Sequence, residues 1–240
     1  VKDIPDRPAT RNLSDLRACD AVFILSPNAT HGEYLDYFSR DYAGRIFCEK
    51  PPVTSLAELR GLRTDPARTF FNFNLRHSAL AETVRRHGDS GALGRILSAG
   101  AVVTHGLAFT PAYRDSWRSD AARNPLGVTE NVGIHWLDLF SVLFGAPAHL
   151  EHQAANHAGT GTASDTSLLT ATHDGGMRSS VLTSYAAPWR YAFQVLGTNG
   201  SLDYDGSVLV VRSPRATCDA AGRFIRPPAI EEQTLTAEEL

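Results

Sequence analysis

The chain has 240 residues, 20% of them charged and 42% hydrophobic, with a formal net charge of −3 and a pI near 6.3. That length can bury one large core or two modest ones. The balance excludes the basic density of a nucleic-acid binder, and no apolar run is long enough to span a membrane.

Basic residues number 23, of which only Lys2 and Lys50 are lysines. Arginine stays protonated in proteins, whereas a lysine amine can be tuned and can exchange a proton. A lysine kept at Lys50 in so arginine-rich a chain therefore points to chemistry. The cysteines, Cys19, Cys48 and Cys218, form neither a CxxC pair nor a metal spacing. A reduced, cytoplasmic setting is expected.

After a Pro- and Arg-rich opening, Ala21–Leu25 is an apolar run of strand length, stopped by Ser26-Pro27-Asn28. Residues 30–40 have helical spacing, and Arg45–Cys48 is a second buried strand leading into Glu49-Lys50-Pro51. Ser55 and Glu58 fit a capping box for the next helix. Thr69–Phe73 is a third strand, stopped by Asn74-Leu75-Arg76. Strand, helix, strand at this pitch predicts a parallel sheet with both faces covered. The three strand ends would then share one edge, where open α/β sheets bind ligands. Proline after Lys50 predicts an extended exit, turning the lysine into that crevice.

A helix is predicted from Ser78 to Gly88 and a long strand from Gly94 to Phe109. A polar loop over 110–126 follows, carrying Trp117 and Arg118. Thr129–Phe144 reads as a helix closed by Gly145. At helical spacing Asn131, His135 and Asp138 share a face, opposite a core stripe. From His149 onward the pattern is antiparallel β, with turns at Asp174-Gly175-Gly176, Asn199-Gly200 and Asp205-Gly206. Such a meander covers helices on one face and can present the other to a second subunit. His149, His152 and His157 fit no zinc spacing, so no metal site is expected.

In order, these motifs resemble the Gfo/Idh/MocA oxidoreductases, the family of glucose–fructose oxidoreductase and inositol dehydrogenase. The matching pieces are Asp20–Asn28 with His31, Glu49-Lys50-Pro51, Asn74-Leu-Arg76, Gly91–Gly94, Trp117-Arg118, Gly133–Asp138 and Leu196–Leu202. The resemblance runs from about Leu13 to Asp205. It implies a partial Rossmann dinucleotide-binding domain over 1–76. Over 77–240 it implies an α/β domain with an open, mostly antiparallel sheet, which binds substrate and builds a homo-oligomer, dimer or tetramer.

The function so implied is hydride transfer between NAD or NADP and a secondary alcohol or ketone of a sugar, cyclitol or similar compound. By position, Lys50 becomes the lysine on the reacting oxygen and His135 the general acid/base, with Asn131 beside it. Ser26, Pro27, Asn28, His31, Glu49 and Pro51 fall along the cofactor, and Asn74, Arg76, Trp117 and Arg118 around the substrate. Two rival readings keep the fold: an NAD-assisted glycosidase or lyase with no net redox change, and a non-catalytic binding or partner-subunit module. The family's pyrophosphate-binding GxGxxG turn is not found. The chain is therefore expected to be a fragment of a longer enzyme or a lineage that has lost its cofactor site.

Overall fold

A computed structural model describes residues 10–236 and Glu239. The chain divides into two compact units, 1–72 and 73–240. Asn74 and Arg76 therefore belong to the second unit, not to the edge of the first unit's sheet.

The first unit is built on three parallel strands, β1 (Ala21–Ile24), β2 (Arg45–Cys48) and β3 (Thr69–Phe71), in that order. Helix α1 (His31–Asp41) connects β1 to β2, and α2 (Leu56–Gly61) lies between β2 and β3. The predicted capping box is present: Ser55 Oγ accepts from Glu58 N at 3.2 Å, and Glu58 Oε2 accepts from Ser55 N at 3.2 Å. These bonds satisfy donors that a helix start otherwise leaves open.

Leu35, Phe38 and Tyr42, from α1 and its C-terminus, pack against Val22, Ile24, Ile46 and Cys48 to form the core of this unit. The expectation of two covered faces fails here. Side chains alternate across a strand, so Phe23 and Phe70 point away from α1 and are 66% and 52% exposed. α2 has no buried residue, so nothing in the described unit covers that second face. The third strand also ends two residues earlier than expected, at Phe71.

The second unit is an eight-stranded sheet with helices on one face. α3 (Ala79–Asp89) starts at Ser78, whose side chain accepts from Ala81 N. It leads to β4 (Ile96–Thr104), shorter than the predicted 94–109, because the chain turns through a 3₁₀ segment at Leu107–Phe109. The predicted polar loop contains one turn of helix, α4 (Pro111–Arg114), and a 3₁₀ turn at Trp117–Ser119. Thr129–Gly133 forms a π-helical turn that runs directly into α5 (Ile134–Phe144).

Seven strands complete the unit: β5 (His149–Ala155), β6 (Thr166–Thr172), β7 (Arg178–Ser184), β8 (Arg190–Gly197), β9 (Ser201–Tyr204), β10 (Val208–Arg212) and β11 (Ala229–Thr234). The order is β11-β10-β9-β8-β4-β7-β6-β5. The three predicted turns join β6 to β7, β8 to β9 and β9 to β10. β4 is inserted between the two antiparallel runs, antiparallel to β8 but parallel to β7. That parallel pair matters for the site, because Thr104 pairs with Ser184 and both strands end on the same side.

The main core lies between the sheet and its helices. Trp136 and Phe140 of α5 stack with Phe193 of β8, their ring centroids 5.4 and 6.1 Å from it. The other sheet face is open, and Leu168 and Leu182 remain about a third exposed there. The edge strand β11 is pinned to α3 by Glu231. Its carboxylate accepts from both Arg86 terminal nitrogens at 2.7 Å and lies 2.7 Å from His87 Nε2.

Two predictions follow from these packings. Burial, with Glu49 nearby, pushes the Cys48 thiol up to about 12, and the thiolate is the nucleophile. Iodoacetamide at pH 8 is thus expected to label the exposed Cys19 and Cys218 in the folded chain and to spare Cys48. Peptide mapping reads the result, and labelling of Cys48 at the rate of the other two would refute it. The second concerns Glu231, whose carboxyl is held at about 2, below its usual 4.5, chiefly by the hydrogen bond from Arg86. A depressed carboxyl pKa contributes stability above the unfolded value and loses it as pH falls through the folded one. The urea midpoint should fall as pH drops from about 4.5 to 2, and Glu231→Gln should remove part of that slope.

Candidate functional site

In the first unit the polar strand ends gather at one sheet edge, as parallel crossovers require. His31 is fully buried at the start of α1 and ties two of them together. Its Nδ1 lies 2.7 Å from Pro51 O, and its Nε2 lies 2.7 Å from Ser26 O. Both neighbours are acceptors, so a neutral ring donates to only one of them. Thr30 Oγ1 sits 2.7 Å from Ser26 Oγ and 2.8 Å from Pro27 O, closing the same loop from inside.

Glu49 links the next two strand ends, its Oε1 accepting from Asn72 Nδ2 at 2.7 Å. Lys50 is half-buried just beyond β2, and the Lys50–Pro51 peptide is cis. Asn28 is buried. This edge thus brings together Ser26, Pro27, Asn28, His31, Glu49, Lys50 and Pro51.

In the second unit the polar residues centre on the start of α5. Thr129, Glu130, Asn131 and Gly133 of the π-turn are all buried. Such turns insert an extra residue into a helix and recur at functional sites. The regular helical spacing predicted from Asn131 to Asp138 therefore does not describe this first turn, and the three polar side chains take different local partners. Asn131 Nδ2 donates to Gly127 O at 2.9 Å and to Asn124 Oδ1 at 3.1 Å. The His135 ring meets Phe73 edge-on, with centroids 6.4 Å apart. Asp138 accepts a bidentate pair from Arg76, Nε at 2.7 Å and Nη2 at 2.5 Å. That pair raises the Arg76 pKa, the hydrogen bond being the largest cause.

The Arg76 guanidinium also lies 5.3 Å from the Phe73 ring centre. Its Nε and Nη2 thus hold the Asn74–His77 turn on α5. Arg118 stacks on Trp117, 4.6 Å from the ring centre.

Two loops close over the π-turn. Ser119 O accepts from Thr162 N at 2.7 Å and Ala163 N at 3.0 Å, and Val128 N donates to Ser164 O at 2.9 Å. Gly161 and Gly127 have φ of +77° and +57°, and a Cβ on either would sit 2.2 or 2.0 Å from the Ser119 or Ser164 carbonyl oxygen. Only glycine permits that approach. Asp165, fully buried, braces the second loop by accepting from His157 N at 3.0 Å and Ala158 N at 2.7 Å.

Sequence reasoning missed Asp165, Asn124, Tyr113, His105 and Tyr185. The last two follow the register pair Thr104 and Ser184, and their rings lie 5.0 Å apart. Burial lowers the His105 pKa. Burial also raises that of Tyr185, Arg118 draws it back, and Tyr113 and Glu130 add to the rise. Only the parallel pairing of β4 with β7 could have revealed this neighbourhood. Among the three histidines weighed for metal, His152 faces Thr129 Oγ1 at 2.9 Å and His149 faces Glu151 at 3.3 Å. Among the described residues no group of three or more His, Cys, Asp or Glu could hold a metal ion.

Comparison with known proteins agrees with this architecture. The model of the GFO/IDH/MocA C-terminal domain matches residues 81–203, more than half of the chain. The oxidoreductase-family model with an NAD-binding Rossmann fold matches residues 3–64. The chain belongs to the Gfo/Idh/MocA oxidoreductase family. No curated protein matches it.

Among solved structures, a levoglucosan dehydrogenase in complex with NADH and levoglucosan aligns with a TM-score of 0.77 and 20% identity, over 94% of this chain and 64% of that one. An inositol dehydrogenase homolog complexed with NAD+ from Azotobacter vinelandii gives 0.74 at 20% identity, over 92% and 59%. An oxidoreductase from Agrobacterium radiobacter in complex with NAD+, L-tartaric acid and magnesium gives 0.73 at 21% identity, over 85% and 62%. The chain thus spans less than two thirds of the length of these three relatives.

The Arg76–Asp138 pair makes a stability prediction. Arg76→Ala should lower unfolding stability by about 1 kcal/mol, the discounted value for a bidentate pair with one half-exposed partner. Chemical denaturation measures it. An unchanged midpoint would return Arg76 to a purely ligand-facing role.

Proposed function

We propose that the protein carrying this chain is an NAD(P)-dependent oxidoreductase that moves hydride between a nicotinamide and a secondary alcohol or ketone. The substrate class is a sugar, a cyclitol or a similar polyhydroxylated compound. The observation that carries this reading is the ordered match of both family domains, 3–64 and 81–203, with relatives solved on NAD+ or NADH.

The residues present fit one part of the cofactor. At the first unit's sheet edge stand a hydroxyl, an amide and an ammonium, from Ser26, Asn28 and Lys50, backed by the buried His31. That donor set suits ribose and carboxamide oxygens. The described turns after β1, β2 and β3 contain no Gly-x-Gly, so they do not suit a pyrophosphate. We assign Ser26, Pro27, Asn28, His31, Glu49 and Pro51 to shaping the ribose–nicotinamide end. A bound nicotinamide supplies the hydride acceptor or donor.

The chain's own residues then handle the proton. Lys50 polarises the reacting oxygen, and His135 takes the hydroxyl proton during oxidation and returns it during reduction. Trp117, Arg118 and Asn74 bind the hydroxyl-rich substrate.

We also read the first unit, 1–72, as the cofactor domain and the second, 73–240, as the substrate and assembly domain. The open face of the eight-stranded sheet, with Leu168 and Leu182 partly exposed, is read as the contact between copies in a dimer or tetramer. Three free cysteines support a cytoplasmic location. Among the described residues no helix is long and apolar enough to cross a membrane.

Absorbance at 340 nm with NAD+ or NADP+ and a panel of inositols, anhydrosugars and aldoses tests the activity. Lys50→Ala and His135→Ala should each reduce kcat by about 10²- to 10⁴-fold. The reading fails if the intact protein reduces neither cofactor with any member of the panel, or if both variants keep full rates.

A further inference from the structure

Residues 213–228, between β10 and β11, form an arm that is ordered by its own bonds. Ser213 N donates to Pro228 O at 3.1 Å and closes the base. Ser213 Oγ and Arg215 Nη1 tie that base to Ala92 O at 2.9 Å and Thr198 O at 3.1 Å. Beyond it the chain makes a short antiparallel hairpin in which Cys218 pairs with Phe224. Asp219 N donates to Arg223 O at 2.9 Å, and Ile225 N donates to Thr217 O at 3.3 Å. In the turn, Asp219 Oδ1 accepts from Ala221 N and Arg223 N, and its Oδ2 accepts from Arg223 Nε at 2.8 Å. Gly222 supplies the positive φ, +78°.

None of these bonds uses the Phe224 side chain, which is 91% exposed, with Ile225 beside it 42% exposed. A lone apolar side chain on a surface is ordinary. A ring held out on a hairpin already ordered is different, because docking it costs little further ordering. The open face of the eight-stranded sheet carries the matching hollow. Side chains alternate across a strand, and Gly100 of β4 and Ala192 of β8 face this side next to Val102 and Leu182. Small residues there leave a trough of about 730 Å³. Asp203, Asp205 and Glu232 line it with one cation, Arg190. The arm carries the opposite balance, Arg215, Arg223 and Arg226 with one acid, Asp219. Arm and trough thus complement each other in shape and in charge.

We propose that two copies of this chain exchange arms, each seating Phe224 in the trough of the other's sheet. This rests on the reading of the open face as the contact between copies, and it names the element that fills the hollow. Arm and trough belong to the same unit of the chain, so one exchange across a twofold axis uses both of each and closes. Cys218 lies directly opposite Phe224, and such cross-strand pairs share a face, so docking the ring also covers the thiol.

Sedimentation velocity of the 240-residue chain over a concentration series tests this. The parent should dimerise, and Phe224→Ala should raise the dimer Kd by about 100-fold or more, since two aromatic anchors are lost per dimer. The urea midpoint of dilute Phe224→Ala should match the parent's, because the ring is exposed in the single copy. Added salt should weaken the parent dimer, as opposite charges require. Iodoacetamide should label Cys218 in dilute protein and spare it at dimer concentrations, while Cys19 is labelled alike in both. Ala192→Phe, which fills the trough, should also abolish dimers. Mixing it with Phe224→Ala should restore a heterodimer weaker than the parent, because one intact arm then meets one intact trough.

Dimers that survive Phe224→Ala but not Ala192→Phe overturn the exchange and leave the open face as the contact between copies. A mixture of the two variants that stays monomeric overturns the exchange as well. A parent that is monomeric at every concentration, or dimers that Ala192→Phe leaves intact, overturn both readings, whatever other partner then covers Phe224.

Discussion

Buried backbone outside regular structure must still satisfy its carbonyls and N–H groups, and the second unit depends on how it meets that constraint. The loops over the head of α5 lie backbone against backbone, where no ladder is available. Ser119 O takes two N–H groups, Ser164 O takes one, and Asp165 takes two more from the loop it braces. Side-chain amides complete the set, with Asn124 and Asn131 each donating to a main-chain carbonyl. Glycines at 127 and 161 make the approach sterically possible. Together these bonds tie the backbone at Arg118 and Ser119 and the 161–164 loop to the head of α5.

The first unit meets a different constraint. A parallel sheet puts all its strand ends on one edge, and those ends must leave the sheet without colliding. His31 and Glu49 answer this by joining neighbouring exits, the one between Ser26 and Pro51, the other between β2 and β3 through Asn72. Residues that resemblance places along a cofactor thus also hold the edge in shape. Among the described residues, the face bearing Phe23 and Phe70 stays exposed, and the buried core lies on the α1 side of the sheet.

Local signals were legible wherever a few adjacent residues decide the structure. The Ser55–Glu58 capping box, the helix beginning after Ser78 and the three glycine-containing turns all stand where the chain places them. The βαβ rhythm predicted β1 to β3, and ordered motifs identified the family whose two domain models match. The shortened third strand and the bare second face were not legible. Apolar strands read the same whether one face or two are covered, since burial depends on what packs there.

What the residues determined by themselves was the chemistry available: a lone internal lysine at a strand end, a histidine and an asparagine on one helix, and acidic and amide partners nearby. Tertiary structure alone decided how those groups are used. Arg76 forms a bidentate pair with Asp138, 62 residues away in sequence. His105 and Tyr185 became neighbours because β4 pairs in parallel with a strand 80 residues later in register, Thr104 with Ser184. Asn131 donates to the Gly127 carbonyl of the preceding loop from a π-turn that the helical pattern did not foretell. Each outcome is a long-range pairing or a backbone irregularity, and neither leaves a periodic trace in the sequence.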